Sequence, residues 1–172
     1  MPIKRYFNSL NKMFKTIKLE RVTLRLITHK HAPQLFTILN HPQVSEFNDY
    51  KTPLSKSQIK QLIQDDITAY YEGEVIRVAI EHNITGELMG TCGLYNLSVC
   101  KSSAFIGFEL HPSFWDKGVM FEVITGFIKT LKLNIGLKHL SAEVSAHNAR
   151  SHNLLLKLGF SLREHSIWHK QL

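Results

Sequence analysis

Several features that would quickly assign a chain to a class of protein are missing from this sequence. No apolar run approaches the roughly 18 residues of a membrane-spanning helix. The basic residues 1–5 are not followed by the apolar segment of about 7–15 residues that a secretory signal requires. Only two cysteines are present, Cys92 and Cys100, and without an export signal we expect both to be free thiols. We therefore predict a cytoplasmic protein that does not bind a membrane.

Metal-binding patterns are also missing, although the chain has 10 histidines. His29-x-His31 and His165-x-x-x-His169 occur, but no HExxH motif or Cys/His cluster accompanies them. On a strand, residues four apart face one side yet lie roughly 13 Å apart. We therefore expect no metal site, and neither a P-loop nor a dinucleotide-binding fingerprint is present.

The charge of the chain is unbalanced but not concentrated. Lys and Arg number 21 against 14 Asp and Glu, which gives a net charge of +7. Such a chain could bind nucleic acid or ribosomes through their phosphates, or it could hold one polyanionic cofactor. Because the basic residues are spread out beyond the N-terminal arm, we expect no direct nucleic-acid binding, while contact with the ribosome stays open.

The apolar pattern predicts one mixed α/β domain over residues 15–172, preceded by a basic extension over residues 1–14. A frayed arm is the simplest interpretation of the extension, and a partner-binding helix is the alternative. Three hairpin-linked strands predict a largely antiparallel sheet with helices on both faces. The expected elements are a strand over 17–26, helices after Thr28 and Ser55, strands over 76–80, 88–95 and 103–110, a helix striped from Met120 to Leu131, a strand over 140–144, a helix over 148–158 and a strand over 162–170.

The most informative segment runs from Trp115 to Glu122, where an apolar strand gives way to an amphipathic helix. The first turn of a helix offers four N–H groups without intrahelical partners, at the positive end of the helix dipole. Gly118 lets a ligand approach the backbone without a Cβ, and Lys117 adds positive charge. The segment therefore predicts a site for a phosphate-bearing ligand.

A second block begins at His147-Asn148-Ala149-Arg150-Ser151 and ends at Lys157-Leu158-Gly159-Phe160. Its simplest interpretation is helix capping, with Asn148 as the N-cap and Gly159 as the C-terminal stop.

Together these blocks resemble the GNAT N-acetyltransferases, and in particular the RimJ/RimL-like group that acetylates the N-termini of ribosomal proteins. Trp115 and Met120 occupy the first and last positions of the pyrophosphate loop as in that group, and Glu122 fits its continuation. Residues 19–25 resemble the usual opening of the family, and residues 85–94 resemble its second hairpin. The resemblance covers about residues 17–163 and implies the GNAT fold, with a splayed sheet that is largely antiparallel.

The resemblance implies acetyl-CoA as the co-substrate. On the family pattern, Asn148 contacts the pantetheine arm and the hydroxyl of Ser151 lies near the thiol. The residues implied to bind acetyl-CoA are Leu110, His111, Lys117, Gly118, Val119, Met120, Phe121, Asn148 and Ser151.

The resemblance also implies direct acetyl transfer to an amine, which must lose a proton while the leaving thiolate regains one. Glu109 is the candidate general base, although an outward-facing strand carboxylate is the simpler interpretation. Ser151 is the candidate general acid, since Leu155 aligns with the tyrosine that many GNAT enzymes use. A backbone N–H near Leu110 would polarise the thioester carbonyl.

The expected acceptor is the α-amino group of a protein, with Phe47, Asn48 and Tyr50 as candidate substrate-binding residues. A small amine such as a polyamine or an aminoglycoside is the alternative, which Glu46 and Asp49 would favour. The third interpretation is a catalytically inactive CoA-binding or interaction module.

The C-terminus departs from the family, because only 12 residues follow Phe160. The family continues further and forms a two-stranded hairpin. Here we predict a shortened hairpin in which one strand, through Ile167 and Trp168, fits and the second does not. The open sheet edge that results would be covered by a second copy in a homodimer, or the chain would be a truncated product or an inactive relative.

Overall fold

One eight-stranded sheet forms the centre of the protein, whose computed structural model describes Phe14, residues 16–98, Cys100 and residues 102–172. The strand order is β1-β2-β3-β4-β5-β6-β8-β7, and neighbours are antiparallel except for the parallel pair β5 and β6. This confirms the predicted mixed α/β class. The strands are β1 (Ile17–Lys18), β2 (Val22–Leu26), β3 (Ile76–His82), β4 (Leu88–Tyr95), β5 (Ser103–Leu110), β6 (His139–Glu143), β7 (Ser161–Glu164) and β8 (Ile167–Gln171).

Helices cover both faces of the sheet, as the sequence predicts. Alternate residues of β3 enter two separate apolar clusters, because successive side chains of a strand point to opposite faces. Ala79 packs with the first three helices, whereas Val78 and Ile80 pack with the last two. None of the helices in the described residues is long and apolar enough to cross a membrane. The helices are α1 (Ala32–Leu39), α2 (Pro42–Ser45), α3 (Lys56–Glu72), α4 (Val119–Ile135) and α5 (Ala149–Lys157).

Local sequence sets several helix ends, and these match the predictions. Ser55 and Gln58 form a capping box at the start of α3, in which Ser55 N donates to Gln58 Oε1 at 2.7 Å and Gln58 N donates to Ser55 Oγ at 3.2 Å. Asn148 caps α5, since its Oδ1 accepts from Ser151 N at 3.1 Å. Both ends are fixed by residues close in sequence, which explains why pattern reasoning finds them.

The divergence of β5 from β6 creates the main cleft. The two strands pair only as far as Phe105 opposite Ser141. β5 nevertheless continues to Leu110, which still pairs with Gly90 of β4. The second half of β5 therefore presents a free backbone edge on the side away from β4, as the splayed sheet of the resemblance implies.

The predicted strand over 17–26 is wrong in one respect, because it is a hairpin rather than one strand. β1 folds back on β2, with Ile17 opposite Leu24 and Lys18 opposite Thr23. The turn is closed by Leu19 N, which donates to Val22 O at 2.9 Å. No glycine or proline marks this turn in the sequence, so the alternating apolar pattern hides it.

The prediction of a single C-terminal strand is also wrong. The chain forms both β7 and β8, and β8 pairs with β6, so the edge beside β6 is covered. Because β8 covers this edge, an open edge gives no reason to expect a homodimer, a truncated product or an inactive relative. The hairpin is short, as predicted, with 4 residues in β7 and 5 in β8. Its turn places His165 at φ 31°, without the glycine or asparagine that usually signals such a turn.

The predicted N-terminal extension lies outside the described residues except for Phe14. Phe14 is buried, and its ring meets that of Phe127 of α4 edge-on, with centroids 5.7 Å apart. This residue belongs to the core of the domain.

Candidate functional site

A cleft of about 940 Å³ opens where β5 and β6 separate. Its walls come from these strands, the N-terminal ends of α4 and α5, and the loop after α2. Most of the candidate site residues line this one cleft: Phe47, Asn48, Tyr50, Glu109, Leu110, Gly118, Val119, Met120, Phe121, Asn148 and Ser151.

Two of the candidates, His111 and Lys117, are not among the lining residues. His111 Nδ1 accepts from Ser113 N at 3.2 Å and so caps the short 3-10 turn Pro112–Phe114. Lys117 Nζ donates to Ser113 O at 2.7 Å. Both side chains thus hold the loop that leads into α4.

The start of α4 has the geometry of an anion site. Gly118 is the N-cap with φ 73°, and no side chain caps the helix. The first amides of α4 therefore lack both an intrahelical partner and a capping group. Val119, Met120 and Phe121 supply these amides at the wall of the cleft. The positive end of the helix dipole adds to the attraction for a phosphate.

Arg21 ties this loop to the N-terminal hairpin. Its Nη1 donates to Lys117 O at 2.6 Å, and its Nε donates to Glu122 Oε2 at 2.6 Å. The backbone N of Arg21 donates to Glu122 Oε1 at 2.9 Å. Glu122 lies in the first turn of α4, where a carboxylate is favoured by the helix dipole. The loop is therefore fixed from behind by a charged pair and a backbone bond.

Arg150 closes the end of the cleft where α4 and α5 begin. Its guanidinium carbon lies 4.0 Å from the centroid of the Trp115 ring, and its Nε lies 3.5 Å from Asp116 Oδ1. Trp115 Nε1 in turn donates to Leu110 O at 2.7 Å. The negative charge of Asp116 is thus paired, and Trp115 is anchored to the end of β5.

The backbone N–H of Leu110 points into the gap between β5 and β6. His111 N donates to Met89 O at 2.8 Å, and Leu110 lies opposite Gly90. This pattern makes Leu110 and Gly90 a non-hydrogen-bonded antiparallel pair, so the N–H of Leu110 faces away from β4. β6 has already diverged on that side, and a ligand in the cleft can reach this donor.

Glu109 presents its carboxylate to the opposite side of the sheet from Leu110. Thr91 faces it directly on β4, and Thr91 Oγ1 donates to Glu109 Oε1 at 2.5 Å. Arg77 Nη1 lies 3.6 Å from the same oxygen. The side chain of Glu109 is 19% exposed, so it is neither an outward-facing carboxylate nor a fully buried one.

Acidic and aromatic side chains gather at the end of the cleft near Glu109. Asp49, Tyr50, Tyr95 and Glu143 all line it. Burial, together with the charge of Glu109, raises the pKa of Tyr50. Burial and the charge of Glu143 raise the pKa of Tyr95. Negative charge is therefore concentrated here, although the whole chain is basic.

Several residues that shape the cleft are not predicted from the sequence, chief among them Arg77, Thr91 and Arg21. The available signal for Arg77 is a lone arginine in the middle of an apolar strand, between Ile76 and Val78. Its partners come from other elements, so the sequence pattern does not identify them. The same holds for Arg21, which reaches a loop distant along the chain.

Neither cysteine lies in the cleft, and both are free thiols as predicted. Burial raises the pKa of Cys92 to about 12. Cys100 is exposed, and hydrogen bonds with Ser102 and Ser98 lower its pKa to about 7. In the part of the chain that the structure describes, no group of three His, Cys, Asp or Glu side chains is placed to hold a metal ion.

Comparison with known proteins gives consistent matches. Residues 21–161 match the family described as "Acetyltransferase (GNAT) domain". A protein of Bacillus subtilis (strain 168), described as the uncharacterized N-acetyltransferase YoaA, is 33% identical over 148 residues, covering 86% of this chain and 84% of that protein.

Solved structures share the fold at low identity. One is an acetyltransferase of Salmonella typhimurium that modifies the N-terminal serine of the 50S ribosomal subunit protein L7/L12. It superposes with a TM-score of 0.81 at 16% identity, covering 92% of this chain and 99% of that chain. RimL, the ribosomal L7/L12 α-N-protein acetyltransferase in complex with coenzyme A, gives a TM-score of 0.83 at 16% identity, with 92% and 98% covered.

Proposed function

This chain belongs to the GNAT acetyltransferase domain family, and from that premise we propose that it transfers an acetyl group from acetyl-CoA to the α-amino group of a protein N-terminus. One observation carries the proposal. A single cleft joins the uncapped start of α4 and the free N–H of Leu110 to the carboxylate of Glu109. On this proposal the start of α4 binds the phosphates, the N–H of Leu110 polarises the carbonyl, and Glu109 removes the proton.

Acetyl-CoA fits the residues present. The amides of Val119, Met120 and Phe121 would bind its pyrophosphate, and Gly118 supplies the left-handed backbone, φ 73°, at which the helix begins. Asn148 uses its Oδ1 to cap α5, so its amide group is what would reach the pantetheine arm. The backbone edge of β5 beyond Phe105 would pair with that arm as an extra strand does.

Acetyl-CoA supplies its acetyl group as a thioester, whose C–S bond breaks as a C–N bond to the amine forms. Glu109 takes a proton from the acceptor ammonium, which frees the nitrogen lone pair for attack. Because Thr91 and Arg77 both hold Oε1, Oε2 is the oxygen left for the amine. The N–H of Leu110 stabilises negative charge on the carbonyl oxygen. The hydroxyl of Ser151 gives a proton to the sulfur that leaves, and it regains one from the nitrogen, which loses its second proton as the amide forms. The net proton released is the one that Glu109 takes from the ammonium and passes to solvent.

Two observations support a protein N-terminus as the acceptor. The structural relatives named above act on the N-terminus of a ribosomal protein. In addition, Asn48 Nδ2 is buried beside the cleft and has no hydrogen-bond partner within the described residues. This group would donate to a peptide carbonyl next to the acceptor amine. On this proposal the reaction takes place in the cytoplasm, where ribosomal proteins are made, and the net charge of +7 favours contact with the ribosome.

A small cationic amine, such as a polyamine or an aminoglycoside, is the second candidate acceptor. The carboxylates of Asp49 and Glu143 at the Glu109 end of the cleft favour it, because they would attract a second positive charge on the substrate.

The test is an acceptor screen with acetyl-CoA. We would offer peptides with the N-termini of ribosomal proteins, the same peptides with blocked α-amines, spermidine and an aminoglycoside, and read the product by mass spectrometry. Acetylation of the free α-amine alone supports the proposal. Acetylation of spermidine or the aminoglycoside with no peptide product would replace it with the second candidate.

Glu109→Gln separates an enzyme from an inactive CoA-binding module. We expect kcat to fall by about a hundredfold or more while acetyl-CoA still binds, because only the proton acceptor is lost. Glu143→Gln is the matched control, since it removes a carboxylate from the same cleft without removing the base. A wild-type protein that binds acetyl-CoA and acetylates none of the acceptors would support the module.

A further inference from the structure

Arg77 reaches a carboxylate two strands away because the strand between them has a glycine. Arg77 lies on β3, opposite Gly93 of β4, and Glu109 lies on β5. A Cβ on Gly93 would lie 3.2 Å from Arg77 Cδ and 2.7 Å from the backbone O of Ile76. The missing side chain therefore leaves room for Arg77 to lie across β4.

The guanidinium of Arg77 stands between two carboxylates from different elements. Its Nη1 lies 3.6 Å from Glu109 Oε1, and its Nε lies 3.6 Å from Asp66 Oδ2 of α3. Nη1 also donates to Thr91 Oγ1 at 3.4 Å, the same hydroxyl that donates to Glu109. Neither carboxylate holds the arginine alone, so the charge of Arg77 is shared.

The charged side chains of this cluster are poorly exposed to solvent, from 17% for Arg77 to 27% for Asp66. Tyr50, Asp66, Arg77, Thr91 and Glu109 also border a second cavity of only about 10 Å³, on the side of the sheet away from α4. Burial lowers the pKa of Arg77, but the charges of Glu109 and Asp66 outweigh it and leave that pKa raised. Burial raises the pKa of Asp66 despite the opposing charge of Arg77. Charges in such a place interact strongly, because little water screens them.

We propose that Arg77 is a positioning residue, which holds the carboxylate of Glu109 turned toward the acceptor, and that Asp66 sets how strongly Arg77 acts on Glu109 by competing for the same guanidinium. The inference rests on the proposed role of Glu109 as the base. The other groups that face Glu109 are the hydroxyl of Thr91, the phenol of Tyr50 and, further along the cleft, Asp49 and Glu143. None of these is a cation, so among the described residues Arg77 supplies the positive charge beside Glu109.

This sharing predicts opposite effects on Glu109 from neutralising Arg77 and from neutralising Asp66. In Arg77→Gln the carboxylate loses its cation and becomes harder to ionise. In Asp66→Asn the competitor becomes neutral, so more of the charge of Arg77 acts on Glu109. Asp66→Asn also removes a direct repulsion on Glu109, so the midpoints report the charges around the carboxylate, and the change in kcat reports its positioning.

The experiment follows the carboxyl carbon of Glu109 by NMR in protein labelled with ¹³C at the glutamate side-chain carboxyl, as a function of pH and without any substrate. The signal is assigned by its loss in Glu109→Gln. We expect its midpoint to move up by about one pH unit or more in Arg77→Gln and to move down in Asp66→Asn. Arg25→Gln is the matched control, since Arg25 pairs with Glu81 instead, and should leave the midpoint in place.

Kinetics give the second readout. The acidic limb of the pH profile of kcat/KM should move with the NMR midpoint in each variant. In Arg77→Gln, kcat should fall by about tenfold or more at neutral pH. The KM of that variant for acetyl-CoA should stay within about twofold of the wild-type value. Arg77→Lys should recover part of kcat. If Arg77→Gln does not fold, the inference is tested by Asp66→Asn and Arg77→Lys. The direction in which each of them moves the titration midpoint of Glu109 from its wild-type value is then the result.

If the titration midpoint of Glu109 is the same in the folded variants as in the wild type, the inference is overturned. A shifted midpoint in a protein that transfers acetyl to no acceptor would overturn the proposed function instead. The two failures are therefore distinguishable.

Discussion

Arg21 and Glu122 join the N-terminal hairpin to the start of α4 through two contacts. Arg21 Nε donates to Glu122 Oε2 at 2.6 Å, and the backbone N of Arg21 donates to Oε1 at 2.9 Å. The same arginine donates through Nη1 to the carbonyl of Lys117, immediately before Gly118. The amides proposed to bind pyrophosphate are thus held in place by a residue that would not itself touch the ligand.

Arg21→Ala should weaken acetyl-CoA binding about tenfold, because charged hydrogen bonds are worth about 1.5–3 kcal/mol and part of that holds the loop. Calorimetry with purified protein measures the affinity. Arg25→Ala is the control, since it removes a neighbouring arginine that pairs with Glu81, and should bind as the wild type does. Equal affinity in the two variants would show that Arg21 does not shape the site.

Gly118→Ala and Gly136→Ala form a matched pair at the two ends of α4. Both glycines have positive φ, 73° and 71°, and a Cβ would meet only Arg21 Nη2 at 3.6 Å in the first and nothing in the second. Each change should cost about 1–2 kcal/mol of stability, since left-handed backbone is strained for alanine. Only Gly118→Ala should also weaken the binding of acetyl-CoA. Equal loss of affinity in both would count against the α4 start as the phosphate site.

The elements that the sequence predicts well depend on nearby residues. The stripe of α4, with Val123, Ile124 and Phe127 all buried, follows from a 3.6-residue period. The capping box of Ser55 and Gln58 also lies within one turn of helix. The candidates in the loop before α4 and at the start of α5 line the cleft for a different reason, because the family resemblance carries the pattern of these two segments.

What the sequence does not predict depends on pairing between distant residues or on weak turns. Arg77 gains its role from Asp66 and Glu109, which reach it only in the folded sheet. The turn at His165 and Ser166 contains no strong turn residue, so the C-terminal hairpin is read as one strand. The same absence of a turn signal hides the hairpin of β1 and β2.

Trp168→Ala should destabilise the protein by about 3–5 kcal/mol, because Trp168 is 5% exposed and anchors the C-terminal hairpin in the core. Leu162 lies directly opposite on β7 but is 53% exposed, so Leu162→Ala should change stability by about 0.5 kcal/mol or less. Denaturant unfolding measures both. Similar losses in the two variants would mean that the hairpin does not pack as described.

Glu81 should make stability depend on pH. Burial opposes its charge, but hydrogen bonds from His31, Lys30 and Arg25 outweigh burial and lower the pKa of Glu81 to about 2. A lowered pKa in the folded state adds stability above the ordinary value of 4.5, and that stability is lost as the pH falls toward 2.

Glu81→Gln should therefore unfold at a lower denaturant concentration than the wild type at pH 7. This gap between the two unfolding midpoints should narrow steadily below about pH 4.5. Glu87→Gln, which changes an exposed carboxylate next to β4, is the control and should show a small gap at every pH. A gap for Glu81→Gln that stays constant through this range would contradict the assignment.

The cleft between β5 and β6 is proposed as an acetyl-CoA site, and calorimetric titration of the purified wild-type protein with acetyl-CoA is the sharpest test of that proposal. We expect a single site with micromolar affinity and a matching rise in Tm. Absence of both heat and thermal shift would contradict it, because the start of α4 and the free edge of β5 would then be unable to hold the ligand on which every proposed step depends.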